Sequence, residues 1–292
     1  MQVINKTIIL LSFLGLWLTS YLNAEMQLIL GLSLIFSFGI LHGANDLELI
    51  NQMESVRKVK FVKILAVYIF MILLSVLLFM QIPFFALMLF ILVSSYQFGE
   101  QNWQKILRKC DKLISRLLQG SYGLLILSAL FYFNIDETQK IINKITHVTI
   151  IESQFLLILL AATLLYVVLS ILILIRKNEL LVSFIEQSFY ILILCVIFKV
   201  ANLILGFAIY FILWHSIPSL HDQIKFLHGS YNIENFKKYF KSAFWYWIIS
   251  LFGIFILYFI SKDMVIFDAL FFSFLASITF PHFIVILKMY KQ

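Results

Sequence analysis

The chain is a near-unbroken series of apolar stretches, each about as long as a bilayer is thick, and this excludes a water-soluble globule. A helix needs about 20 apolar residues to cross about 30 Å of hydrocarbon, and such runs lie at roughly 7–22, 26–45, 61–80, 83–99, 117–134, 153–175, 180–198, 200–217, 242–260 and 264–287. Hydrophobic residues fill 62% of the 292 positions and charged residues only 13%, too few to clothe a soluble core. The runs are continuous rather than alternating, so they read as helices and not as strands of a barrel. The expected fold class is all-α, a polytopic integral membrane helical bundle of about 8–10 transmembrane helices, with 1–292 as a single transmembrane domain. The count is its softest part, because the seventh and eighth runs are separated only by Lys199 and Asn202, and the fourth run is short.

Charge fixes an orientation. Of the 22 Lys and Arg residues, all but Lys140, Lys144, Lys199 and Lys262 fall on one side: Lys6, the group Arg57, Lys58, Lys60 and Lys63, the loop from Lys105 to Arg116, Arg176 and Lys177, the stretch from Lys225 to Lys241, and Lys288 and Lys291. The positive-inside rule makes that side cytoplasmic, with both termini there, and predicts a multi-pass protein of the cell (inner) membrane. The net charge of +7 then lies where anionic membrane lipid would draw it, and no nucleic-acid partner is expected. Cys110 and Cys195 stand alone, so neither a disulfide framework nor a thiolate metal site is expected. The first run resembles a secretory signal, but Leu22 spoils the small-x-small cleavage pattern and the charge alternation continues from Lys6, so it reads as a retained helix. The polar stretch 222–241 reads as a loop with a short amphipathic helix, and His147 as a solvent residue of an external loop.

Ionisable groups at membrane depth cost a few kcal/mol each and need a reason to be there. At the end of the second run, His42 and Asp46 are four apart. On a continuous helix they share a face, and Asp46 would accept the second ring N–H of a metal-bound His42. If the helix instead ends at Gly43, Asp46 is merely solvated. The fourth run ends with Gln97 and Glu100 three apart, either orienting a ligand or forming an interface belt with Tyr96 and Trp103. The eighth run carries His215 ahead of Pro218, which is expected to end or kink the helix. His221 lies on a different face from His215 unless that break turns it back. His228 reads as a loop residue. In the last run, Pro281 and His282 combine a helix interruption with an imidazole.

The second, fourth, eighth and tenth runs all point the same way across the membrane, so His42, Gln97, His215 and His282 are expected at comparable depth. Convergence of this kind is how a bundle builds a metal site. Imidazoles with oxygen donors suit Fe(II), Zn(II) or Cu(II), and the lack of thiolate argues against purely structural zinc.

Taken in order, HGAND (42–46), YQFGEQ (96–101), WHS (214–216) and TFPH (279–282) resemble the signature series of the Brp/Blh family of membrane carotene-cleaving enzymes, over about residues 37–286. The resemblance implies an Fe(2+)-dependent dioxygenase with histidine ligands that cleaves β-carotene at its central 15,15′ double bond with O2 to give two retinal. It also implies a functional link to a retinal-binding opsin. Carried over by motif, His42, His215 and His282 match family histidines. Gln97 stands where the family has a histidine, with Gly99 and Glu100 retained. Ser219 stands where another is expected, with His221 two residues beyond. The implied metal set is His42, Gln97, His215, His282 and His221, supported by Asp46, Glu100 and Ser219.

Such a substrate is a rigid apolar polyene that enters sideways from lipid. The 31 Phe residues could line its slot, and positioning rather than acid or base groups would select the bond. Two other readings stay open: a catalytically inactive or altered-substrate carotenoid- or retinal-binding protein, suggested by Gln97 and Ser219, and a small proton or metal transporter, which would spread polar residues through the whole membrane depth.

Overall fold

The computed structural model describes residues 2–53, 61–261 and 267–290. Arg57, Lys58, Lys60, Lys262 and Lys291, part of the charge pattern above, lie outside the described residues. Among those described there is helix and no strand. In chain order the helices are α1 (Gln2–Thr19), α2 (Ala24–Leu34), α3 (Asp46–Gln52), α4 (Phe61–Gln81), α5 (Pro83–Trp103), α6 (Lys112–Phe133), α7 (Ile135–Thr146), α8 (Glu152–Arg176), α9 (Leu181–Val200), α10 (Leu203–Ile209), α11 (Ile217–His228), α12 (Ile233–Ser261) and α13 (Phe267–Met289). π-Helical turns over Ile35–Gly39 and Tyr210–Ser216 extend α2 and join α10 to α11. Among the described residues, seven helices are long and apolar enough to cross a membrane, and Lys6–Thr19, Ala24–Gly39 and Ser273–Met289 are shorter apolar helices. This is the helical membrane protein that the apolar runs required.

The chain divides into two compact units. The first comprises Met1–Ser33, Ile91–Asn143 and Val148–His215. α6 is started by Asp111, whose carboxylate accepts the N–H groups of Leu113 (2.9 Å) and Ile114 (3.0 Å). α8, α9 and α10 pack against α6, and α1 packs on α9. α5 crosses α6 with almost no spacing. A Cβ on Gly99 would overlap the Gln119 carbonyl, and one on Gly123 would overlap that of Ser95, so glycine at both positions sets the approach. The α9–α10 break at Lys199 and Asn202 is real. Asn202 caps α10 through Leu205 N–H (2.8 Å), Gln27 accepts the Asn202 N–H (2.9 Å) and Glu137 accepts that of Leu203 (2.9 Å).

The second unit comprises Leu34–Phe90, Lys144–His147 and Ser216–Gln292. α13 packs on α3, α4 and α12, and α11 packs on α3 and α12. Its core includes Leu41, Leu49, Met53, Ile224, Tyr239 and Ile286. α4 turns Val62, Phe70, Leu73 and Met80 outward, as a lipid-facing helix does.

His147 is exposed in a loop after α7, as expected, but three other local expectations are revised. Most of 222–241 is helical, and His228 lies in the last turn of α11. The helix also runs through Pro218. Proline clashes with the carbonyl four residues back, and here that carbonyl belongs to Trp214, inside the wider π turn, so the obstruction is relieved where it would arise.

Candidate metal centre

In the second unit, the HGAND sequence leaves the helix that precedes it. The π turn ends at Gly39, residues 42–45 form a turn, and α3 begins at Asp46. His42 Nδ1 lies 2.5 Å from the Gly39 carbonyl. A carbonyl only accepts, so Nδ1 carries the proton and Nε2 the lone pair. The turn is pinned by Tyr239 of α12, whose hydroxyl donates to Gln223 Oε1 (2.7 Å) and lies 3.2 Å from the His42 carbonyl. Asn45 Nδ2 in return donates to the Tyr239 carbonyl (2.9 Å).

Asp46 is buried, and an isolated carboxylate there would be costly. It is not isolated. Tyr68 donates to Oδ2 (2.8 Å) and His282 Nδ1 donates to Oδ1 (2.7 Å). The shared face of His42 and Asp46 anticipated for an unbroken helix is absent, because the turn intervenes, and the carboxylate holds His282 instead of His42. Nor is Asp46 solvated, the other expectation. With Nδ1–H donated in the hydrogen bond to Asp46, His282 keeps its lone pair on Nε2, a buried atom without a hydrogen-bond partner. The two imidazoles meet edge to face, with centroids 4.8 Å apart and planes at 90°.

These features fit a metal ion. Both rings have their tautomer fixed through Nδ1, one by a carbonyl and one by a carboxylate, the usual support of a ligating histidine. An orphaned lone pair on His282 Nε2 has no structural use in a packed core.

In the first unit, His215 is buried at the end of α10's π-helical continuation. Phe211 stacks on it (5.6 Å, 23°), Phe207 stacks on Phe211 (5.1 Å, 12°), and Phe98 packs edge-on (4.8 Å, 62°). Gln97 and Glu100 are also buried, Glu100 accepting from Tyr96 (3.3 Å), while the Gln97 amide nitrogen has no hydrogen-bond partner. The interface-belt reading fails at Trp103, which is fully buried against Tyr122 and Phe184.

Because the helix continues through Pro218, Ser219 and His221 diverge by about 200° around it. Ser219 is buried and accepts from Gln223 Nε2 (3.0 Å). His221 is half-buried, tilted on Tyr231 (4.8 Å) and 3.6 Å from the Asp222 carboxylate. Tyr68, Tyr239 and Gln223 were not anticipated as supports. Their only sequence signal is a polar tip within or beside an apolar run.

Residues 33–290 match the family model described as Beta-carotene 15,15'-dioxygenase. The chain belongs to this family. The matched segment contains all four motifs and agrees with the Brp/Blh resemblance. No curated protein and no solved structure matches the chain. Membership in the beta-carotene 15,15'-dioxygenase family supports a carotene dioxygenase function in general terms and implies a carotene substrate. With the apolar helices, it makes the chain a membrane protein.

Proposed function

We propose that this family member cleaves β-carotene at the central 15,15′ double bond with O2, and that its iron ligands are His42, His215 and His282. In the overall reaction the carbon–carbon double bond breaks, each half gains one oxygen atom as an aldehyde, and O2 is the oxidant consumed. Two retinal molecules result. The observation that carries the reading is the Asp46–His282 pair, which leaves a buried Nε2 without a partner beside His42 in a chain of this family.

Bound Fe(2+) would supply the one-electron chemistry that lets ground-state O2 react with a closed-shell alkene. The remaining work falls to the chain. Gly39 and Asp46 hold the Nδ1 protons of His42 and His282, so both rings offer Nε2 as neutral donors. Tyr68 holds Asp46, and Tyr239 holds the turn that carries His42. The half-buried Phe207 and Phe211 extend a flat apolar surface up to His215, suited to one end of a polyene. Their fixed geometry would select the bond by position.

Gln97 replaces a family histidine and could assist through its amide oxygen. His221, turned to Tyr231, is left out of the ligand set. The same replacements favour a second reading, an inactive carotenoid-binding member. Expression in a β-carotene-accumulating bacterium separates the two. The proposal expects retinal and loss of colour, both abolished by His42→Ala. Protein in the membrane with carotene untouched would favour the binder. The proposed location is the inner membrane with both termini cytoplasmic, from the charge pattern, and the retinal formed would suit an opsin partner.

A further inference from the structure

α3, α4 and α13 of the second unit enclose a groove of about 190 Å³ that the cleavage chemistry does not use. Its walls are aliphatic, from Ile64, Val67 and Met71 of α4 and Ile284 and Val285 of α13. Its two charged lining residues are Lys63, in the first turn of α4, and Lys288, in the last turn of α13. Both are exposed, and neither is in an ion pair among the described residues.

We infer that this groove holds an acyl chain of an anionic phospholipid whose phosphate is met by Lys63 and Lys288. The lysines sit at helix ends, the level of a bilayer's headgroups, and the aliphatic wall lies farther along both helices, at the level of the acyl chains. That order of charge and hydrocarbon complements an anionic amphiphile. A carotene carries no anion and would leave Lys63 and Lys288 without a counter-charge, so this pairing of charge and hydrocarbon suits a lipid rather than the polyene. Tyr68 also lines it while donating to Asp46, so the lipid would lie against the support of His282. The inference does not depend on the cleavage reaction.

The test is native mass spectrometry of the purified full chain, titrated separately with phosphatidylglycerol and phosphatidylcholine. The expected result is preferential retention of phosphatidylglycerol. It should weaken about 30-fold in Lys63→Gln/Lys288→Gln, since each lysine near an anionic headgroup contributes about 1 kcal/mol. It should not weaken in the control Lys140→Gln/Lys144→Gln. Val67→Trp, which fills the groove from a position 53% exposed, should also reduce retention with both lysines in place. Equal retention of the two lipids, no change in the double lysine variant, or no change in Val67→Trp would overturn the inference. In the last case the lysines would be only a diffuse attraction for lipid.

Discussion

The Asp46 carboxylate accepts a hydrogen bond from the Nδ1–H of His282 (2.7 Å), across 236 residues of sequence. That contact fixes which imidazole nitrogen of His282 keeps the lone pair, and Tyr68 holds the carboxylate from its other oxygen. Asp46→Asn retains an acceptor but loses the charge that strengthens the bond. Iron affinity should fall about 10- to 100-fold, the usual cost of removing a ligand's outer partner. Titration of Fe(2+) into the apo-protein, followed by retinal formation, measures it. Unchanged affinity would show that the carboxylate does not support a ligand.

Tyr239 acts on the other histidine. Tyr239→Phe keeps the ring but removes the hydroxyl that meets Gln223 and the His42 carbonyl. The variant should lose about 1–3 kcal/mol of stability, because the Gln223 amide oxygen is left buried without its donor. Thermal unfolding in detergent reads this directly.

Close approach of α5 and α6 makes a sharper structural prediction. Gly99→Ala and Gly123→Ala each place a methyl on a backbone carbonyl of the opposite helix, and should cost about 1–3 kcal/mol or more. Folded yield by size-exclusion chromatography should drop for both. Gly120→Ala is the control, since a Cβ there meets nothing within 4 Å. A normal yield for Gly99→Ala would mean that the helices can separate freely.

Variants of His221 and Phe211 are expected to behave differently. His221→Ala should leave retinal formation and iron content unchanged, because the ring faces Tyr231. Phe211→Ala should slow cleavage about 2- to 10-fold with iron retained, the range expected from losing one ring contact. Retinal assays beside metal analysis separate the two outcomes.

Much of this was legible in the sequence because it rests on composition and spacing. The apolar runs gave the helices, and Asn202 marked a true break between α9 and α10. His42 and His282 fell at the ends of runs with the same direction. Other features had no local signal. The π turns shift backbone hydrogen bonds by one residue without a defining residue type, and they let the helix pass Pro218, which sent His221 away from Ser219. The helix does break near Gly43, one of the two alternatives the sequence leaves open, but neither alternative reveals the partner of Asp46, because His282 is remote in sequence. Trp103 at the end of an apolar run looked like an interface residue, but the packing of α5 on α6 that buries it depends on Gly99, whose role emerges only from the opposite backbone.

The most direct test of the account is turnover by the purified protein in detergent, given β-carotene and O2 with Fe(2+) or with an iron chelator, beside His282→Ala. The account predicts two retinal per carotene consumed, produced only with iron and lost in the variant. Carotene left intact by iron-loaded, folded protein, or products longer and shorter than retinal, would contradict it.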